Sequence, residues 1–227
     1  MHRITPEHRD LFIGGRWVAT SSNECIEVLL PDTGSNAMAD FLLPSVLDVD
    51  DTVDIAHLTC HGEPWTSMTS RERATLAERL LATFDRHRDR WAMCTEVVID
   101  ASEPDMQDPY ARVPGATRNE REAMAKPGAT AGVVVVIIAS TDTPAVTLVT
   151  EIAMALADGS AVIVNLPADA TRTGRLIGEL VLEANIPAGG VSVLSASRPV
   201  SRYLATHPDV VSVVVAADMM SPHAVAA

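Results

Sequence analysis

Hydrophobic positions are laid out in two different ways along the 227 residues. Up to about residue 130 they are interleaved with charge; beyond it, unbroken apolar runs alternate with segments of helical period. Gly132 to Ala139 (GVVVVIIA) is continuous and β-branched, the pattern of a strand buried on both faces, as parallel sheets require. Pro144 to Ala157 is rich in helix formers and stops at Gly159. A second strand is expected over Ser160 to Leu166, then a helix from Thr171 to Ala184 with Leu176, Ile177, Leu180 and Val181 on one stripe. A third strand, Val191 to Ser195, follows the Pro187-Ala-Gly-Gly190 turn; a short helix near Ser201 to Thr206 and a fourth strand, Val210 to Ala216, complete the series. Strands alternating with helices predict right-handed crossovers and an α/β fold, a Rossmann-like open parallel sheet flanked by helices.

The earlier part predicts a leader. Leu11 to Val18 and Cys25 to Leu30, joined through polar Thr20 to Glu24, read as an N-terminal antiparallel β-hairpin. Two helices are expected next: Val49 to Cys60, capped by Asp48, and Ser70 to Arg90, with Leu76, Leu80, Leu81 and Phe84 on one face. Ser102 to Gly128 holds four prolines and two glycines and reads as a linker. The expected division is residues 1–101 as hairpin and helices packing on the later domain, 102–130 as linker, 131–216 as the Rossmann-like domain and 217–227 as a tail.

Charge narrows the functions open to this pattern. With 17 basic and 30 acidic side chains the formal net charge is −13, which repels nucleic-acid phosphates and anionic lipid, so neither nucleic acid nor membrane is expected as a partner. Only Lys126 is a lysine, and it lies in the linker. The start is charged, without an apolar signal core, and no stretch of about 18 apolar residues could span a bilayer, so a cytoplasmic location is expected. Cys25, Cys60 and Cys94 fit neither a disulfide framework nor a zinc ribbon.

Several short signatures then occur in one order: LFIGGRWV from Leu11, Pro31-Asp-Thr-Gly34, Asp48 to Ala56, Pro64-Trp65, Met68 to Leu80 (MTSRERATLAERL), the strand from Gly132, Ile186-Pro-Ala-Gly-Gly-Val191 and His207-Pro-Asp-Val210. In this order the chain resembles the amino-terminal half of the aldehyde dehydrogenase superfamily. The resemblance implies an NAD(P)-binding domain preceded by a hairpin and helices, and NAD or NADP as cofactor. It also implies the oxidation of an aldehyde through a cysteine thiolate, hydride transfer and a glutamate that activates water. In the family that cysteine and glutamate lie beyond the matched half, so no catalytic residue is assigned here and no aldehyde oxidation is expected of this chain alone.

The cofactor positions implied by the resemblance are substituted. Where the family has a Trp-Asn-Phe-Pro turn, whose amide stabilises an oxyanion, this chain has Thr141-Asp142-Thr143-Pro144, and an ionised carboxylate only accepts hydrogen bonds. Where a lysine and a glutamate hold the adenosine ribose stands Asn165-Leu-Pro-Ala-Asp169, with Asp169 as acceptor if the loop shifts by one residue. The phosphate-binding Gly-Ser position is Ala217-Asp218. Two like charges about 4 Å apart cost roughly 1 kcal/mol in water and about 4 kcal/mol at an effective dielectric near 20, so Asp218 opposes a diphosphate. Asn165, Asp169, Ala217 and Asp218 are thus the degenerate cofactor positions, and Asp142, Asp169 and Asp218 the cleft carboxylates available as acid or base.

Other constellations carry less. His57 and His61 stand four apart beside Cys60, a spacing able to place two imidazoles on one metal, yet solvated helix-face histidines are the expectation and no metal site is assigned. Arg86, His87, Arg88 and Arg90 are interleaved with Asp85 and Asp89 and read as a solvated helix end. Three functions follow: a non-catalytic or remnant paralogue; a cleft repurposed for non-redox chemistry such as cyclisation or isomerisation; or the cofactor half of a split dehydrogenase. Because family sheets continue past the fourth strand, a homo-oligomer or a partner chain covering the incomplete sheet is also expected.

Overall fold

The computed structural model describes residues 10–30, 37–95, 132–141 and 143–216. The chain opens with β1 (Asp10–Ile13) and β2 (Arg16–Ala19), followed by β3 (Cys25–Leu30) and β4 (Ala37–Leu42). Helices α1 (Val46–His61), α2 (Ser70–Arg86) and α3 (Arg88–Thr95) come next. The later part alternates β5 (Val134–Ala139), α4 (Ala145–Ala157), β6 (Ala161–Pro167), α5 (Thr171–Glu183), β7 (Val191–Ala196), α6 (Arg198–Ala205) and β8 (Ser212–Ala216). The expected linker (102–130) and tail (217–227) lie outside the described residues.

The α/β architecture read from the pattern is the one found. Strands β7-β6-β5-β8 run parallel, and the β1–β2 hairpin adds antiparallel to β7, giving one sheet of order β2-β1-β7-β6-β5-β8. The continuous apolar runs are explained by cover on both faces. Val135 and Ile137 face a cluster with Leu80 and Phe84 of α2, Ile152 and Leu156 of α4 and Leu180 of α5. Their neighbours Val134, Val136 and Ile138 face the other way, onto Val49 and Val53 of α1 and Val200 and Leu204 of α6. Alternate side chains of one strand thus enter two cores.

Three expectations are corrected. The hairpin is not Leu11 to Val18 paired with Cys25 to Leu30: the chain reverses inside LFIGGRWV, at Gly14 and Gly15, with φ of 58° and 81°, so that Ile13 faces Arg16 across a two-residue turn. Cys25–Leu30 pairs instead with β4, in a separate two-stranded sheet. Helix α1 starts earlier, because Ser45 is the N-cap and Asp48 is the return partner of a capping box. The helix expected to reach Arg90 breaks at His87, whose φ of −115° and ψ of 20° leave the helical region. The break lets Trp91 of α3 turn onto Phe84, edge to face at 5.5 Å between ring centroids.

Candidate cofactor crevice

The strand order positions the site. From β5 the chain steps outward to β6 and β7, then returns to place β8 on the other side of β5. In open α/β sheets the crevice at such a reversal, outside the carboxyl ends of the strands, is where ligands bind. Helices α4, α5 and α6 all start at that edge. Their N-caps, Pro144, Ala170 and Ser197, make no side-chain cap hydrogen bond, and none of the three carries an acidic residue in its first turn. Three helix starts without a side-chain cap or a first-turn acid therefore point at the carboxyl edge.

At the crevice itself one hydroxyl joins the two strands. Ala139 of β5 lies opposite Ala216 of β8. Beyond Ala139, the Thr143 hydroxyl accepts from the Ser140 N–H at 2.9 Å and donates to the Ala216 carbonyl at 2.9 Å. Ser140 Oγ lies 3.1 Å from Thr143 Oγ1. Thr143, which the sequence reading did not single out, is therefore the side chain that bridges the reversal point. The available signal was the Ser-x-x-Thr spacing just before Pro144, which closes a turn on itself. Asp142, between the two, and Ala217 and Asp218, beyond β8, lie outside the described residues.

The structure separates Asn165 from Asp169. Asn165 is 1% exposed and turned toward α6, where its Oδ1 accepts from the Ser201 hydroxyl at 3.2 Å. It serves the packing of α6 rather than the rim. Asp169 sits half-buried in the turn from β6 to α5, a turn closed by the Ala170 N–H donating to the Pro167 carbonyl at 3.0 Å. Its carboxylate has no hydrogen-bond partner among the described residues and is free to accept from a ribose hydroxyl. Leu166, before Pro167, is 2% exposed and carries no charge. At the end of β6 the described residues thus leave Asp169 able to accept from a hydroxyl, beside a buried apolar Leu166.

The remaining candidates fall into structural roles. Cys60 is buried, its thiol donates to the Val133 carbonyl at 3.3 Å, and burial pushes its pKa up, which disfavours the thiolate a nucleophile needs. Cys25 is exposed at the start of β3, away from the crevice. The His57 and His61 rings lie 4.5 Å apart on the exposed face of α1, and no group of three or more metal-ligating side chains occurs among the described residues. Nor is any helix among them long and apolar enough to cross a membrane.

Comparison with known proteins bears on this geometry. The chain is 25% identical to geranial dehydrogenase of Castellaniella defragrans over 91% of its own length and 47% of the relative's. It is 26% identical to phenylacetaldehyde dehydrogenase of Pseudomonas fluorescens over 89% and 45%. It therefore spans about half the length of the curated relatives it matches. Among solved structures, aldehyde dehydrogenase of Bartonella henselae superposes with a TM-score of 0.68 at 22% identity, over 90% of this chain and 46% of that one. An NAD+ complex of aldehyde dehydrogenase from Bacillus cereus gives 0.69 at 20% identity, over 94% and 48%. The aldehyde dehydrogenase family model matches residues 17–219, and the chain belongs to that family.

Proposed function

We propose that this chain is a non-catalytic member of the aldehyde dehydrogenase family, which keeps the NAD(P)-domain fold and does not oxidise aldehydes by itself. The observation that carries the reading is the end of β6. There Asn165 is 1% exposed and engaged by Ser201, and Leu166, at the position where the resemblance expects a lysine, is 2% exposed and apolar, beside the carboxylate of Asp169. Asp142 and Asp218, at the family's amide and phosphate positions, add negative charge in the sequence where the cofactor needs neutral donors.

A second reading, the cofactor half of a split dehydrogenase, is favoured by the three uncapped helix starts at the carboxyl edge, which remain suited to a diphosphate. Calorimetric titration of NAD, NADP and AMP separates the two. No heat with any nucleotide, and no reduction of NAD or NADP with an aldehyde present, is expected. Saturable dinucleotide binding without turnover would transfer support to the split enzyme, and turnover by the purified chain overturns the proposal. The reading includes self-association or a partner chain along β8, which has no neighbour on its outer side among the described residues. Light scattering that reports a monomer at high concentration speaks against that part.

A further inference from the structure

The exposed face of α1 ends in two imidazoles, His57 and His61, one helical turn apart. They lie at the amino end of the parallel strands, since the neighbouring Cys60 thiol donates to the Val133 carbonyl just before β5. The crevice is at the other end of β5, a strand length of roughly 20 Å away. We propose that the pair is a two-histidine chelate for a divalent transition-metal ion, with water in the remaining coordination positions.

The hydrogen bonding presents a lone pair. His61 Nδ1 lies 2.9 Å from the His57 carbonyl oxygen, which only accepts, so Nδ1 carries the ring proton and donates. The lone pair of the neutral ring is then on Nε2. A ring N–H held by a backbone carbonyl is the outer-shell bond that orients metal-ligating histidines. Neither His61 Nε2 nor the His57 ring nitrogens have a hydrogen-bond partner among the described residues.

Spacing and field agree with that chemistry. The ring centroids are 4.5 Å apart and the planes 32° from parallel. With metal–nitrogen bonds of about 2.0 Å and each ring centre roughly 1.1 Å behind its nitrogen, two imidazoles at a right angle on one ion have centroids about 4.4 Å apart. Right angles belong to tetragonal Ni2+ and Cu2+. His61 is the last residue of α1, where the negative end of the helix dipole favours a cation, and Val46–His61 contains four aspartates and neither Lys nor Arg. No third metal-ligating side chain joins the pair among the described residues. Two nitrogen ligands select such ions over Mg2+ and Ca2+, which take oxygen. The ion bridges residues i and i+4 only in the helical conformation, so it staples the last turn of α1 and stabilises the folded chain.

The test is calorimetric titration of the full chain, purified without a histidine tag, with Ni2+, alongside thermal melting with and without the ion. Saturable binding is expected, with the melting temperature raised by about 5 °C or more at a hundredfold excess over Kd. Mg2+ should produce neither effect. His57→Ala and His61→Ala should each weaken Ni2+ about tenfold or more and remove the shift, because the chelate needs both rings. Both side chains are exposed, so the variants should fold, and their melting without the ion verifies that. Paramagnetic broadening by Ni2+, centred on the two ring resonances in the wild type, checks the location without any substitution. No saturable binding, affinity unchanged in both variants, or broadening centred on other histidines overturns the proposal. The outcome is independent of the nucleotide titration, because the two sites lie at opposite ends of the parallel strands.

Discussion

The two edges of the parallel sheet are built differently. At the amino edge, side chains reach across to backbone: the Trp65 indole donates to the Gly159 carbonyl at 2.6 Å, the Cys60 thiol to Val133, and the Arg73 guanidinium to Met68 at 2.7 Å and to Ala157 at 3.4 Å. Gly132 and Gly189, with φ of 94° and 84°, let the loops there close tightly. At the carboxyl edge α4, α5 and α6 start without side-chain caps, whereas α1 and α2, outside the parallel array, each start with a complete capping box. The difference teaches that stability is concentrated where nothing needs to bind. The edge where open α/β sheets meet ligands is left without side-chain caps.

Four substitutions probe that contrast, and the largest effect belongs to the amino edge. A Cβ on Gly189 would lie 1.7 Å from Thr59 Oγ1 on a left-handed backbone, so Gly189→Ala should cost about 3 kcal/mol or more, read by urea denaturation. A loss under about 1 kcal/mol would show that the loop relaxes freely and that this edge is not tightly closed. Trp65→Phe keeps the ring packing and removes only the bond to Gly159, for an expected loss of about 1–2 kcal/mol.

Asp48 tests the capped helix start. Burial opposes its charge, but bonds from the Ser45 and Ser21 N–H groups and the Thr20 hydroxyl outweigh it and hold its carboxyl below the usual value of 3.8. Because the folded pKa lies below the unfolded one, the contribution is present above that value and is lost as pH falls through the folded pKa. Asp48→Asn should cost about 1–2 kcal/mol near neutrality and make stability flatter in acid than in the wild type. Parallel acid profiles for the two proteins would count against this assignment. The smallest effect is expected at the carboxyl edge: Thr143→Val removes the bridge from β5 to β8 for about 1 kcal/mol or less. A larger loss there would mean that the crevice is a structural joint and would weaken the contrast between the edges.

Much of the fold was legible because its elements announce themselves locally. GVVVVIIA has a doubly buried strand's composition, and its boundaries shifted by only two residues, to Val134–Ala139. Errors arose where long-range pairing decides. The partner of Cys25–Leu30 is β4, and nothing local in Ala37–Leu42 (AMADFL) distinguishes that strand from loop. The site was legible only in part. Asn165 and Asp169 are four residues apart in sequence, yet one turned inward onto α6 and the other stayed at the rim. Thr143 passed unnoticed because a lone hydroxyl has no pattern until its neighbours are known.

By itself the sequence determined the alternation of strand and helix and the order of short signatures that marks the family, because composition and order are local properties of the chain. Only the tertiary structure decided that Gly14-Gly15 turns the hairpin so that β1 extends the parallel sheet at β7, and that Thr143 ties β5 to Ala216. It alone turned Asn165 of β6 onto Ser201 of α6 and left Asp169 at the rim. Those outcomes depend on which surfaces meet, and burial and hydrogen-bond satisfaction are settled only when the whole sheet is assembled.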